Sequence, residues 1–374
     1  MLPYIIIFII VFCLAYVADA CFEEKKNASI VCLVLIGLVF TVFVGLRDFG
    51  VGYDTNVYIE PYFHQAENIK KIKDFFSVEN VDRGFLLLAY IAHSFSSEPQ
   101  SLLLVVELFI ITFTLLGLYN YRIVYKFRLT TYFILYWLLL FFYSENFMRQ
   151  YCAMALLFYG FSLYLKEKKI AYVLLQIAAL FFHTSSLLFM IIPIFHYLSY
   201  MKGKKRFYYS LLAILILFVF AFSYYYMLAL IGSYGVLDEA YADRYSEFGE
   251  GSHNLGFQIG ITNIILIISQ FFLFSKYKNF DGDSSKIKYI STILLITILI
   301  IEQMNAYNVN LGRMALYFSQ IYCIYLSVVF SAHTSLRIIK IFLIVIMLKN
   351  CIASSFDHTN EAKDYTYSSK ILNI

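Results

Sequence analysis

Long apolar runs separated by short polar stretches dominate this sequence. The runs are continuous and do not alternate with polar residues, so they are typical of helices and not of the strands of a membrane barrel. Several are shorter than the roughly 20 residues that a helix needs to cross a bilayer, and the pattern predicts an all-α polytopic membrane protein with about 12 transmembrane helices (11 to 14). The predicted spans are residues 2–19, 29–46, 101–121, 129–144, 147–165, 170–182, 184–200, 207–231, 255–275, 288–304, 311–330 and 336–350.

The composition supports this class of protein. Of the 374 residues, 61% are hydrophobic and only 14% are charged, which is more apolar surface than a soluble core can use. The net charge of +4 is small and fits the lysine excess of cytoplasmic loops, so nucleic acid is not expected as a partner. The six cysteines show no CxxC spacing, which disfavours a zinc site and a disulfide framework. The stretch 2–19 has no basic flank before it, so we expect a retained first helix and not a cleaved signal peptide.

Basic residues predict the orientation of the chain in the membrane. The polar tetrad His183-Thr184-Ser185-Ser186 divides one apolar stretch into two short halves, and lysine clusters at 166–169 and 202–206 flank these halves. Cytoplasmic loops are rich in Lys and Arg, so we expect both clusters inside and the tetrad outside. The same rule places the loops 47–83 and 232–254 on the outer side.

The segment 84–97 decides how many times the chain crosses the membrane. Counting it as a full span would reverse the orientation of everything after it, so we predict a short re-entrant or interfacial helix at the outer face. Residues 1–350 are then expected to form a single transmembrane helical domain with broken or re-entrant helices at that face. Residues 351–374 form a polar tail that is expected to be loosely ordered and, by the parity of the spans, outside.

Three arginines lie where the positive-inside bias should deplete them. Arg47 ends the run 29–46, while Arg149 and Arg313 begin later apolar runs, so all three are predicted at outer helix ends. Arginines at helix ends often have no role beyond extending their charged groups to the water at the membrane interface. They could instead converge on one anion, because a guanidinium stays charged and presents a planar fork of donors to phosphate. The second explanation makes them candidate substrate-binding residues.

Four further residues are candidates for chemistry or substrate contacts. Asp54 is either the N-cap of a following helix or a group that takes part in the reaction, and Tyr58 would share its helix face. His183 is either a structural residue at a helix break or an acid–base group. Gln150 carries an amide suited to sugar hydroxyls or to contacts between helices. Asp48 and Asp54 form only a weak candidate for a divalent cation, so neither a metal site nor a cofactor is predicted.

These residues, in this order along the chain, resemble the EpsG family, a branch of the Wzy-type polymerases of bacterial surface polysaccharide. The resemblance extends from about residue 29 to residue 330, and its strength comes from the order and spacing of motifs that are each short. The motifs are Gly45-Leu46-Arg47 with Gly52, Asp54 and Tyr58, then Arg149-Gln150, Phe182-His183-Thr184-Ser185, and Arg313 followed by Tyr317-Phe318.

The resemblance implies a membrane glycosyltransferase that acts on lipid-linked sugars. Such an enzyme transfers a growing glycan from undecaprenyl pyrophosphate to a lipid-linked repeat unit at the outer face of the bacterial cytoplasmic membrane. The product is a capsule, an exopolysaccharide or an O-antigen, and the expected partners besides the bilayer and the lipid-linked oligosaccharide are a flippase and a chain-length regulator. Roles follow for the candidates: pyrophosphate binding for Arg47, Arg149 and Arg313, proton transfer for Asp54 or His183, and support of substrate hydroxyls or the arginines for Tyr58 and Gln150.

Other functions use similar residues and stay open at this point. A flippase for the same lipid-linked oligosaccharide would also hold pyrophosphate with arginines, although it should show paired internal repeats, which the sequence lacks. A ligase that moves finished polymer to another acceptor has nearly the same chemistry. A membrane O-acyltransferase would need a catalytic histidine reached from the cytoplasm, and His183 is predicted on the opposite side.

Overall fold

The computed structural model of the chain is helical throughout the part that it describes. The described residues are 2–52, 55–78, 81–233, 263–264, 266–268, 270–271, 283–304, 309–332 and 367–372, and no strand occurs within these ranges. The predicted all-α class is therefore confirmed. Contacts divide the chain into two compact units, one within residues 1–186 and 348–374 and the other within 187–347. The single domain expected for residues 1–350 stays a prediction.

The first unit contains ten helices among its described residues. They are α1 (Leu2–Cys21), α2 (Lys26–Gly45), α3 (Glu60–Glu67), α4 (Ile72–Ser77), α5 (Arg83–His93), α6 (Gln100–Tyr125), α7 (Leu129–Leu139), α8 (Phe141–Asn146), α9 (Met148–Tyr164) and α10 (Lys169–Leu180), with a π-helical turn at Thr55–Ile59. The second unit begins within a 3₁₀ segment, Thr184–Met190, and continues with α11 (Ile191–Leu198), α12 (Gly203–Ser233), α13 (Asp283–Gln303), α14 (Val309–Arg313) and α15 (Ala315–Ala332).

Five segments of the described chain are long and apolar enough to cross a membrane. They are α1, α2, α6, Gly203–Ser223 of α12, and Leu311–Ser331, which joins the end of α14 to nearly all of α15. The chain is thus a membrane protein, but the predicted count of about 12 spans is not confirmed. One reason is that apolar runs can be broken: the predicted span 129–144 is divided at Leu140 into α7 and α8. The predicted span 336–350 lies outside the described residues, as do most of 255–275 and most of the loop 232–254.

The predicted outer loop 47–83 is largely helical. It contains the π-helical turn, α3 and α4, and α3 packs on α5 through the rings of Tyr62 and Phe85, whose centroids are 5.0 Å apart. Phe63 makes a similar edge contact with His93 at 5.3 Å. The sequence obscures these helices because they are short: α3 has 8 residues, of which three are buried, and α4 has 6, of which none is buried. Helix α5 has 11 residues and is about 16 Å long, so its length agrees with the predicted non-spanning segment 84–97.

Helix α6 packs between α2 and α9, and small residues allow the close approach. At Gly45 an added Cβ would lie 2.6 Å from Leu104 Cδ2 and 3.0 Å from the Leu104 backbone. At Gly117 it would lie 2.6 Å from a carbon of the Phe158 ring. Glycine at such crossings lets helix backbones meet directly, which is a common basis of helix association in membranes.

One end of α1 is joined to α7 by a carboxylate. Asp19 accepts hydrogen bonds from the backbone N–H groups of Leu129 and Thr130 at 2.7 and 3.0 Å, and from the Thr130 hydroxyl at 2.9 Å. The N-cap residue of α7, Arg128, makes no cap hydrogen bond of its own. Asp19 therefore caps a helix that begins 110 residues later, which fixes the two helix ends side by side.

The other end of the unit is covered by residues 367–370, which we name the strap. Tyr367 lies flat on Phe43, with ring centroids 4.1 Å apart and an interplanar angle of 5°, and its hydroxyl donates to the Phe43 carbonyl at 2.8 Å. The Ser369 hydroxyl donates to the Leu46 carbonyl at 2.5 Å. The expectation of a loosely ordered tail is therefore wrong for these residues, because they supply hydrogen-bond donors that the end of α2 lacks.

The strap also constrains how many times the chain crosses the membrane. The Asp48 N–H donates to the Ser368 carbonyl at 2.9 Å, and the Lys370 N–H donates to Asp48 Oδ1 at 2.9 Å. The strap and the end of α2 therefore lie on the same side of the membrane. The chain between Asp48 and Ser368 must then cross the membrane an even number of times, a condition that the predicted layout satisfies.

Replacing Gly45 with alanine should destabilise the protein by about 1–3 kcal/mol, because the methyl group would overlap the Leu104 backbone. The matched control is Gly50→Ala, since nothing lies within 4 Å of a Cβ at that position. Thermal unfolding of the purified protein in detergent compares the two variants. Equal unfolding temperatures for both would show that the α2–α6 approach does not need glycine.

Removing the strap contact should also lower stability, in two distinguishable steps. Tyr367→Phe loses the hydrogen bond to Phe43 and should cost about 1 kcal/mol, since the stacked ring is kept. Tyr367→Ala loses the ring as well and should cost about 3 kcal/mol or more. The same unfolding measurement tests both changes. An unchanged Tyr367→Ala protein would mean that the strap is not bound in the membrane-embedded protein.

Candidate functional site

The carbonyl groups at the end of α2 are satisfied by side chains, one from Arg47 in the turn next to the helix and two from distant parts of the chain. The last carbonyls of a helix have no partner within the helix, and the residues at this end are buried in the protein. Each buried carbonyl left unpaired would cost about 1–3 kcal/mol. The carbonyls of Phe43, Val44 and Gly45 accept hydrogen bonds from Tyr367 Oη, Arg47 Nη1 and Gln100 Nε2 at 2.8, 3.1 and 2.6 Å.

Arg47 is completely buried beneath this helix end, with 0% of its surface exposed. Besides Val44, it donates from Nε to the Val51 carbonyl at 3.1 Å and from Nη2 to the Glu145 carbonyl at 2.7 Å and Thr55 Oγ1 at 3.3 Å. Glu145 lies in the last turn of α8, so the guanidinium faces the negative ends of two helix dipoles. In this conformation Arg47 binds the protein itself, which favours a positioning role for it.

A glycine allows the loop after Arg47 to pass close to α8. Gly52 has a φ of +89°, a conformation that other residues rarely adopt. A Cβ at Gly52 would lie 3.0 Å from the Glu145 carbonyl oxygen and 3.1 Å from Asn146 Oδ1. The predicted base Asp54 follows two residues later and lies outside the described residues.

Two buried carboxylates lie near Arg47. Glu145 is 0% exposed, and its Oε2 accepts a hydrogen bond from the Tyr4 hydroxyl at 3.2 Å. Burial raises the pKa of Glu145 to about 7, although the Arg47 guanidinium and the Tyr4 hydroxyl oppose that rise. Glu107, from the interior of α6, is buried and interacts electrostatically with both Arg47 and Glu145. The sequence reasoning missed Glu107, and the signal was an acid inside an apolar run, which marks a functional candidate in membrane helices.

Arg149 has a different environment from Arg47. It lies in the first turn of α9, its Nη1 forms an ion pair with Asp82 Oδ2, and its guanidinium carbon is 3.7 Å from the centroid of the Tyr58 ring. The side chains of Arg149 and Asp82 are each 16% exposed. Met148, the residue before Arg149, places its sulfur 3.9 Å from Arg47 Nη2, so the two arginines lie in one neighbourhood. We call Arg47, Tyr58, Asp82, Glu145 and Arg149 the arginine cluster.

The segment that contains His183 packs beside this cluster. The Gly84 N–H donates to the Phe181 carbonyl at 2.7 Å, and a Cβ at Gly84 would lie 2.7 Å from the Phe182 ring. His183 Nδ1 is 2.6 Å from Ser185 Oγ, and the ring is half-buried. The predicted break between two apolar halves is therefore present, and it lies against the start of α5.

The structure brings some of the predicted site residues together. Arg47, Tyr58 and Arg149 belong to the cluster, and Gln150 is buried next to Arg149 in α9. Arg313 ends α14 in the second unit. Asp82 was missed because an aspartate before an apolar helix normally indicates an ordinary N-cap. Among the described residues, no group of three or more His, Cys, Asp or Glu side chains is placed to hold a metal ion.

Removing the charge of Arg47 should affect folding more than removing that of Arg149. Arg47→Met would leave buried carbonyls and carboxylates without their cation and should cost about 3–5 kcal/mol of stability. Arg149→Met breaks a pair that lies between the surface and the buried case and should cost about 1–3 kcal/mol. Membrane-inserted protein levels and thermal unfolding of both variants check this difference. A stable, abundant Arg47→Met protein would contradict the positioning role.

Comparison with known proteins places these residues in a family context. A model of the EpsG family matches residues 30–368, about nine-tenths of the chain, and so includes the whole arginine cluster. Neither a curated protein nor a solved structure matches the chain at a significant level. The resemblance found in the sequence is thereby confirmed. The chain belongs to the EpsG family, which implies a polysaccharide polymerase-like membrane protein.

Proposed function

We propose that this protein is a membrane glycosyltransferase that polymerises a bacterial surface polysaccharide. It transfers a growing glycan from undecaprenyl pyrophosphate to a lipid-linked repeat unit at the outer face of the cytoplasmic membrane. Family membership supports the polymerase class. The observation that carries the chemistry is Arg149, a partly exposed guanidinium held at one edge by Asp82 and on one face by Tyr58.

The reaction needs a cation fixed in place before the sugar is transferred. The acceptor hydroxyl oxygen forms a bond to the anomeric carbon, while the bond from that carbon to the pyrophosphate oxygen breaks and its electron pair leaves with the pyrophosphate. Negative charge therefore increases on the leaving group in the transition state, where a preorganised donor is most effective. Arg149 is our first choice for this donor, because contacts with Asp82, Tyr58 and the Tyr62 hydroxyl already restrict its orientation.

The other two arginines have different parts in this proposal. Arg47 holds the ends of α2 and α8 in place and acts on the substrate through the position of its neighbours, since it is fully buried. Arg313 keeps the proposed role of a pyrophosphate ligand on the basis of the sequence motif alone. Gln150 and Tyr58 support the substrate hydroxyls or Arg149.

The proton of the acceptor hydroxyl needs a base. Asp54, which lies outside the described residues, is the first candidate on the sequence motif, and His183 is the second. If His183 Nδ1–H donates to Ser185 Oγ, then Nε2 carries the lone pair that a base requires. The proton moves from the acceptor hydroxyl to this group as the new glycosidic bond forms.

A flippase for lipid-linked oligosaccharide is the second candidate function. Buried carboxylates in membrane helices commonly belong to proton or ion pathways, and Glu107, inside the spanning helix α6, is of this kind. A ligase shares the chemistry of the polymerase and differs only in its acceptor. The intermediates that accumulate in cells distinguish all three functions.

The proposal is tested by polysaccharide length in a strain that lacks this protein, complemented with wild type, Arg149→Ala or Arg206→Ala. Arg206 is the matched control, because it also lies over a tyrosine ring, with 4.9 Å to the Tyr289 centroid, but belongs to the second unit. Wild type and Arg206→Ala should restore the polymer ladder on gels. Arg149→Ala should reduce it by roughly 100-fold or more, with single repeat units left on the lipid.

Two other outcomes would overturn the polymerase assignment. Full-length polymer that stays on its lipid carrier in the deletion strain would indicate a ligase. Single units trapped on the cytoplasmic face would indicate a flippase. A normal ladder with Arg149→Ala at wild-type protein levels would remove Arg149 from the mechanism.

A further inference from the structure

Asp82 occupies a capping position but does not cap its helix. It is the N-cap residue of α5, where an aspartate normally accepts a hydrogen bond from the first turn of its own helix. Here the side chain makes no cap hydrogen bond, and its Oδ2 instead binds Arg149 Nη1 on α9. Asp82 therefore contacts Arg149, the candidate substrate-binding arginine, and does not stabilise the start of α5 as a cap would.

The backbone around Asp82 is held by three separate elements. The Asp82 N–H donates to the Tyr62 hydroxyl on α3 at 2.9 Å. Arg83 Nη1 donates to the Phe75 carbonyl on α4 at 2.7 Å, and the Gly84 N–H donates to the residue after α10 at 2.7 Å. Three consecutive residues are thus fixed in three directions, which gives the carboxylate a defined position.

Arg149 is in turn held by at least three side chains, and one of them, Tyr62, is hydrogen-bonded both to Arg149 and to the Asp82 N–H. The Asp82 carboxylate binds one edge of the guanidinium, and the Tyr58 ring covers one face at 3.7 Å. A face contact and an edge contact together define the plane of a guanidinium, which is what a fork of donors needs to meet a phosphate. Arg149 is still 16% exposed, so an incoming anion can reach it.

We propose that Asp82 is the counter-ion that positions Arg149 and that the diphosphate group of the substrate displaces. The inference rests on the proposed function and adds Asp82 to it as a positioning residue. In the empty site the carboxylate keeps the guanidinium in its plane and compensates its charge. When an isoprenoid diphosphate arrives, its more highly charged oxygens replace the carboxylate on Nη1, while Tyr58 keeps the plane of the guanidinium.

This exchange predicts opposite changes in binding and turnover when the charge of Asp82 is removed. Asp82→Asn keeps an amide oxygen that can accept from Arg149 but no longer competes as an anion. Binding of farnesyl diphosphate to the purified full-length chain should become about two- to fivefold tighter, as expected when a partly exposed ion pair no longer competes. Polymer formation should fall by about 10- to 100-fold, because Arg149 is less well oriented.

A second variant, Asp82→Ser, distinguishes a loss of activity from a loss of stability. Serine is a good N-cap, so this variant can cap α5 itself and should unfold at the wild-type temperature or above. It should still lose polymer formation to the same extent as Asp82→Asn. If Asp82 were only a structural cap, Asp82→Ser would keep both its stability and its activity, and the inference would be wrong.

The matched control is Asp74→Asn. Asp74 is also an aspartate at the start of a short helix, but its Oδ2 accepts from the N–H groups of Lys70 and Lys71 at 2.9 and 2.7 Å and serves only α4. Neither probe binding nor polymer length should change in this variant. Weaker probe binding by Asp82→Asn than by Asp74→Asn would overturn the displacement step.

Probe binding and polymer formation together distinguish a failure of the Asp82 inference from a failure of the proposed function. If the deletion strain makes normal polymer but Asp82→Asn binds the probe more tightly and Arg149→Ala does not bind it, the polymerase assignment fails and the Asp82 inference stands. If Arg149→Ala loses polymer while Asp82→Asn and Asp82→Ser match wild type in both readouts, the inference fails and the polymerase assignment stands.

Discussion

The buried guanidinium of Arg47 is the interaction on which the first unit depends. It joins the carbonyl ends of α2 and α8 and the loop that follows α2, through hydrogen bonds to Val44, Glu145 and Val51. An apolar residue could not satisfy these carbonyls, which belong to buried residues and would otherwise be left unpaired. Placing a full positive charge there is favourable because two helix dipoles and two nearby carboxylates compensate it.

In the arginine cluster, Arg47 supports the structure and Arg149 is the residue that a ligand can reach. Arg47 is enclosed and fixes where α8 ends, and α9 begins directly after α8 with Arg149 in its first turn. The position of the exposed arginine thus follows from that of the buried one. A side chain on the first turn of a rigid helix is placed more accurately than one on a free loop, which suits the proposed reaction, in which two large lipid-linked sugars must be aligned.

The sequence was sufficient for the helical class, the membrane location, the family and most members of the arginine cluster. Arg47 and Arg149 could be predicted because charge at a membrane helix end is rare and stands out, and Tyr58 because of its spacing from Asp54. Asp82 could not, since the choice between capping α5 and pairing with α9 depends on tertiary contacts that no local pattern records. The number of spans was similarly hidden: nothing in the run 129–144 indicates that its helix is divided at Leu140.

The strap gives the protein a defined order of assembly. Phe43 receives its hydrogen bond from Tyr367, which is 324 residues further along the chain. At about 5–20 residues per second, a ribosome needs roughly 16–65 seconds to make the intervening segment. During that interval the end of α2 lacks its covering layer, so the cluster beneath it becomes complete only after most of the bundle has entered the membrane. A chain interrupted after α9 but before the strap therefore has the whole arginine cluster and an uncovered α2 end.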